Sequence, residues 1–168
     1  MALTIFGIDP GLRRTGWGLI RQDGSRLTGL ACGVILTKDS DPDAVRLGQI
    51  ALTLDALIAE HHPDEAAVEQ IFTNKNPAST QKLGLARGVA LAAPAKAGLP
   101  VGEYAANLIK KCISGYGHAD KAQMMGMIRI LLPGMAFEKA DAADALAVAL
   151  THAQLRKAQL LRATARVQ

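Results

Sequence analysis

Leu3-Thr4-Ile5-Phe6-Gly7-Ile8-Asp9-Pro10-Gly11 is an apolar run closed by an acid and a turn pair. Residues 3–9 read as a buried strand, and Pro10-Gly11 ends it. Two further strands follow at close spacing, residues 15–21 and 27–37, separated by a turn at Asp23-Gly24-Ser25. Three strands this near in sequence predict an antiparallel meander. A helix is predicted from Pro42 to Glu60, with Val45, Ile50, Leu54, Leu57 and Ile58 on its apolar face. Residues 65–70 make a fourth strand. The helical crossover suits pairing parallel to the first strand.

Phe72 to Pro77 is a polar loop, and Ser79 is the expected N-cap of a helix running to Lys96, with Pro94 shortening or kinking its end. Gly84, Ala86, Gly88, Ala90 and Ala92 make that helix rich in small residues. Such a surface suits either sheet packing or a dimer contact. Val101–Tyr104 is a short fifth strand, followed by a helical segment over Ala105–Cys112 and the loop Ser114-Gly115-Tyr116-Gly117. A helix over Ala119–Leu132 stops at Pro133-Gly134, and a last helix begins at Ala140. The sum is an α/β domain: a mixed five-stranded sheet, three strands in a meander and two parallel, with helices on both faces.

At 168 residues and 49% hydrophobic content the chain is long enough for one domain with a substantial core. No apolar run is long enough to span a bilayer, which argues against a membrane role. The N-terminus shows no basic stretch leading into an apolar one, so a cytoplasmic location is expected. Cys32 and Cys112 are too few for a disulfide framework or a zinc site and read as two buried thiols.

The net charge of +4 is unevenly spread. Residues 1–69 carry 6 basic and 10 acidic side chains. Residues 70–137 carry 8 basic side chains against Glu103 and Asp120 alone, and the end of the chain adds Arg156, Lys157, Arg162 and Arg166. A basic middle beside a cluster of acids fits a polyanion held against a metal site, and it also fits an ordinary solvated surface.

Four acids stand out by position. Asp9 closes the first strand, Glu69 closes Ala66-Ala67-Val68, and Asp141 and Asp144 share one face at the start of the last helix. The topology makes the first and fourth strands neighbours, so Asp9 and Glu69 come side by side at carboxyl ends, where ligands collect in open α/β sheets. Crowded carboxylates raise one another's pKa, and a divalent cation relieves the strain. Four oxygen ligands suit Mg²⁺, and Mn²⁺ equally. Taken singly, each acid also has a plain structural reading as a turn residue, a strand-end acid or a helix-dipole partner.

Gly7, Gly11, Gly16 and Gly18 leave room for a backbone or a phosphate to approach. Arg13 and Arg14 follow the turn, within reach of phosphate oxygens or simply exposed. Phe72 is the one aromatic in a polar loop with Lys75; it suits a wedge between bases or a staple onto the core. Lys110, Lys111 and Lys121 flank the Gly-Tyr-Gly loop and could line a phosphate track. Trp17 reads as core, and His61-His62 before Pro63 as structural.

The chain resembles the RuvC family of Holliday-junction resolvases. The matching stretches are Gly7-Ile8-Asp9-Pro10-Gly11 with Thr15-Gly16, Val68-Glu69-Gln70 with Phe72 and Lys75-Asn76, Leu83-Gly84 with Ala86-Arg87-Gly88-Val89, Glu103-Tyr104-Ala105-Ala106, and Lys139 through Ala147. They keep the family's order and spacing over residues 1–153, leaving 154–168 as a basic helical extension or tail. Gly-Ile-Asp-Pro-Gly alone also opens actin-like ATPases, whose two lobes need more chain than this. A junction-binding module with incidental acids is the non-enzymatic alternative.

The resemblance implies a ribonuclease-H-like fold, a homodimer, and Mg²⁺-dependent paired nicking of four-way DNA junctions in recombination and repair. It implies two ions per site held by Asp9, Glu69, Asp141 and Asp144, and 5′-phosphate and 3′-hydroxyl ends. It makes Phe72 the DNA wedge and Lys110 and Lys121 phosphate contacts; Lys75, Arg87 and Lys111 stand beside them as further candidate DNA-binding residues. It implies a RuvA–RuvB branch-migration complex as partner. Asn107 stands where relatives often carry Arg, a loss the Lys110-Lys111 pair could offset.

Overall fold

A computed structural model describes residues 2–71 and 77–165 of the chain. Phe72 and Lys75 lie outside the described residues. The elements follow in the order β1 (Leu3–Asp9), β2 (Arg14–Asp23), β3 (Arg26–Leu36), α1 (Asp43–His61), β4 (Glu65–Gln70), α2 (Pro77–Lys96), β5 (Val101–Ala105), α3 (Ala106–Ser114), α4 (Lys121–Leu131) and α5 (Ala140–Ala165).

The sheet order is β3-β2-β1-β4-β5. The meander is antiparallel, and β1–β4 and β4–β5 are parallel, as expected. Two cores form, one on each face. Phe6, Ile8, Leu19, Ala66 and Val68 pack against α1 and α2. Ile5, Ile20, Ala67 and Tyr104 pack against α3, α4 and α5. From Ala142 to Ala153 every residue of α5 but Asp144 is buried, because the helix is enclosed by the sheet and by α3 and α4. Alanine is the residue that lets a helix be enclosed at such short range and costs no helix propensity.

Several local expectations change. The buried stripe of α1 is Arg46, Ile50, Leu54 and Ile58, one residue in every four. Val45, expected on it, is 54% exposed, while Arg46 is 5% exposed. A hydropathy pattern misses this because the buried position holds an arginine. Its cation is satisfied by Thr37 Oγ1 at 3.0 Å and Asp39 Oδ1 at 2.9 Å. Helix α2 begins at Pro77 rather than after Ser79, since proline suits a first helical turn that needs no N–H partner there. Pro94 does not shorten α2, which runs on to Lys96 before Gly98 turns the chain at φ 80°. Trp17 is only half-buried and lies against Phe6 and His61. Cys32 and Cys112 are half-buried, not buried.

A buried polar network ties α5 to the far end of the sheet. Glu65, the first residue of β4, accepts hydrogen bonds from both nitrogens of the Arg156 fork and meets His152 Nε2 at 2.8 Å. His152 Nδ1 is in turn 2.8 Å from the Tyr104 hydroxyl. Arg156 holds the Glu65 carboxyl below its ordinary range, and burial pushes His152 toward the neutral ring. This network, absent from any local pattern, ties α5 to the start of β4 and to β5.

Candidate active site

Side chains alternate between faces along a strand. Phe6 and Ile8 face α1 and α2, so Asp9 falls on the α5 side with Ile5 and Gly7. By the same alternation Glu69 falls on that side with Ala67. Ile8 is paired with Val68 across the parallel strands. One residue further, Asp9 and Glu69 are therefore neighbours.

Gly7 and Gly16 bring the third carboxylate. A Cβ on Gly7 would lie 2.2 Å from the Ala145 carbonyl oxygen, and one on Gly16 would lie 2.0 Å from that of Asp141. The room these glycines leave is thus filled by the α5 backbone, not by a phosphate. With α5 laid directly on β1 and β2, Asp144 reaches the ends of β1 and β4. Asp9, Glu69 and Asp144 line one cavity of about 420 Å³ together with Lys110, Lys121, Ile109 and Met124. A second cavity of about 250 Å³ adjoins it through Asp9 and Glu69 and is bounded by Pro10, Ile71 and Leu83.

Crowding shows in the acid strengths. Burial, then the charges of Glu69 and Asp144, push the Asp9 carboxyl up to about 9. Burial and Asp144 raise Glu69, which accepts a hydrogen bond from the protonated Asp9. Burial also raises Asp144, against the pull of Lys121 and Lys110. Without a cation, burial and mutual repulsion thus favour proton uptake by the cluster.

Lys121 occupies the first position of α4, where a cation opposes the helix dipole. The helix start is carried instead by a capping box. Asp120 accepts from the Gln123 backbone N–H at 2.8 Å, and Gln123 accepts from the Asp120 N–H at 3.0 Å. The sequence Asp120-Lys121-Ala122-Gln123 carries that signal and sets α4 to start at Lys121, after Asp120, rather than at Ala119. Tyr116 donates its hydroxyl to the same Gln123 at 3.1 Å.

The donors are all carboxylate oxygens, a set that fits a hard divalent cation. Protons forced onto a buried acid cluster mark a place where added positive charge is favourable. Among the described residues no three carboxylates yet close round one point.

The remaining candidates separate. Asp141 is not on the cavity wall; its Oδ2 lies 3.7 Å from Arg14 Nη1. Arg13 turns the other way, to Asp39 at 3.3 Å. Arg87 is ion-paired with Glu103 of β5. Lys111 and Asn107 are exposed and stand off the cavity wall.

The model of the family described as crossover junction endodeoxyribonuclease RuvC matches residues 5–152. The chain belongs to the RuvC family. Crossover junction endodeoxyribonuclease RuvC of Methylorubrum populi is 55% identical over 154 residues, covering 92% of this chain and 82% of the relative. The RuvC of Methylocella silvestris is 56% identical over 160 residues, covering 95% and 91%. The solved structure of T. thermophilus RuvC in complex with Holliday junction substrate superposes with a TM-score of 0.83 at 33% identity, covering 90% of this chain and 93% of that one. The mixed sheet and its flanking helices are thus the ribonuclease-H-like fold of RuvC. The family match stops at His152, so Arg156 and the rest of α5 lie beyond it. No helix of the described residues is long and apolar enough to cross a membrane.

Proposed function

We propose that this chain is a structure-selective endonuclease that resolves four-way DNA junctions by paired, symmetric nicks. The observation that carries this reading is the gathering of Asp9, Glu69 and Asp144 in one cavity walled by Lys110 and Lys121. It stands in a family member whose T. thermophilus relative was solved with Holliday junction substrate.

Asp9, Glu69, Asp141 and Asp144 would hold two Mg²⁺ ions. Bound there, the ions would supply an activated water for in-line attack and stabilise the departing 3′ oxygen, leaving 5′-phosphate and 3′-hydroxyl ends. Lys110 and Lys121 take the phosphates flanking the scissile bond, and their charge draws the backbone toward the acids. Phe72 would wedge into the junction, with Lys75, Arg87 and Lys111 along the arms. Arg87 would first have to leave Glu103. A homodimer places two such sites on strands of like polarity. The partner that delivers junctions would be a RuvA–RuvB branch-migration complex, in the cytoplasm, serving recombination and repair.

The test is cleavage of a synthetic mobile four-way junction beside linear duplex of the same sequence, with Mg²⁺ and with chelator. Ligatable paired nicks in the junction alone, and only with metal, are expected. Binding without cutting across several junction sequences and both Mg²⁺ and Mn²⁺ would leave a binding module.

A further inference from the structure

Arg13 and Arg14 are adjacent, yet their guanidinium groups part: Arg13 pairs with Asp39 at 3.3 Å, and Arg14 with Asp141 at 3.7 Å. The second pairing is built into the fold. Gly16 lets the Asp141 backbone rest on β2, two residues from Arg14. The other three carboxylates share a cavity that does not include Asp141.

We infer that Arg14 is a positioning residue for Asp141: it holds this carboxylate apart from the other three until a divalent cation draws it in. The inference rests on the metal-binding reading of the acid cluster. Before cation entry, Arg14 pairs with the outermost acid and holds its carboxylate off the cavity wall, although its charge still adds to the crowding on Asp9 and Asp144. With a cation bound, Asp141 would turn to the ion and leave Arg14 at the rim of the site, where a DNA phosphate is the anion that would replace Asp141. The pair is solvated, with the two side chains 56% and 27% exposed, so the hold is weak enough to be broken by a cation.

The test is Mn²⁺ binding to the DNA-free protein, followed by the paramagnetic resonance of free Mn²⁺. Arg14→Gln should bind Mn²⁺ about two- to fivefold tighter, the range of an exposed ion pair. Arg14→Lys should return toward wild type. Arg13→Gln removes the neighbouring charge but leaves the Arg14–Asp141 pair, and should change affinity far less. In an Asp141→Asn background the effect of Arg14→Gln should vanish, since a double-mutant cycle isolates the pair. An equal gain from Arg13→Gln, a gain that persists beside Asp141→Asn, or no gain at all would overturn the role of Arg14 while leaving the metal site standing. Wild-type protein that binds no Mn²⁺ would overturn both.

Discussion

Gly7 of β1 lies directly under the Ala145 carbonyl of α5, so close that a Cβ there would come within 2.2 Å of the oxygen. The atoms in the way are backbone, with Ala149 N at 2.8 Å, and cannot rotate aside. This contact fixes how near Asp144 can come to Asp9. Gly7→Ala should lift α5 from the sheet, cost about 1–3 kcal/mol or more by overpacking, and be read from urea unfolding. Displacement of Asp144 by about 1 Å should lower junction cleavage on the order of a hundredfold. Wild-type stability and cleavage in this variant would mean that α5 is not seated as described.

Asp9→Asn removes the central acid without changing its volume. Junction binding measured in chelator should be retained or slightly tightened, as one negative charge is lost near phosphate. Cleavage in Mg²⁺ should fall below about 1% of wild type, since loss even of groups that only support a metal ligand costs 10–100-fold. Loss of binding in this variant would move Asp9 from chemistry to structure.

The raised Asp9 carboxyl makes stability depend on pH. Its folded value, about 9, lies above its ordinary one of 3.8. The folded state therefore binds the proton more tightly than the unfolded chain, and the stabilisation is lost as pH rises toward 9. Raised Glu69 and Asp144 act in the same direction. In chelator, the melting temperature should fall between neutral pH and pH 9, and Asp9→Asn should flatten the slope. Mg²⁺ should restore stability and release protons on binding, measurable by calorimetry in buffers of different ionisation heat. A flat profile in wild type would show that the acids do not crowd one another.

Glu65 is the anchor of α5. Its side chain is buried, with a bidentate partner in Arg156 and a second in His152. Glu65→Ala leaves both partners half-stranded and should cost about 3–5 kcal/mol. The Glu65 carboxyl is held below its ordinary value, so its contribution is present at neutral pH and lost as pH falls through the folded value. The acid-side loss of stability should accordingly be smaller in the variant. An unchanged unfolding midpoint at pH 7 would remove Glu65 from this role.

Lys110→Ala and Lys121→Ala should each weaken junction binding and reduce the salt dependence of binding by about one phosphate contact. Lys111→Ala should weaken it less, because Lys111 stands off the cavity wall. Equal effects from all three, in fluorescence titrations at several salt concentrations, would point to a diffuse basic surface instead.

The α/β class, the antiparallel meander and the parallel β1–β4 pair were legible along the chain, because alternation, turn pairs and short spacings are local signals. So was the meeting of Asp9 and Glu69, since each closes a strand and the two strands are parallel neighbours. Arg46 was not legible as a core residue: a charged side chain is buried only when distant partners satisfy it, and Thr37 and Asp39 lie on another segment. The glycines of β1 and β2 were read as room for a backbone or a phosphate, and what decides between the two, α5, comes from more than a hundred residues away.

By itself the sequence determined which residues carry charge, where each element ends, and that Asp9 and Glu69 would meet on neighbouring parallel strands. Only the tertiary structure decided that Asp144 joins them in a shared cavity while Asp141 is held by Arg14, that Lys110 and Lys121 face the acids and Lys111 does not, and that Glu65 pins α5 through Arg156 and His152. The physical reason is that local pattern sets backbone periodicity, whereas the approach of one element to another depends on which side chains are absent at the contact, and on charges that find their partners only after the chain has closed.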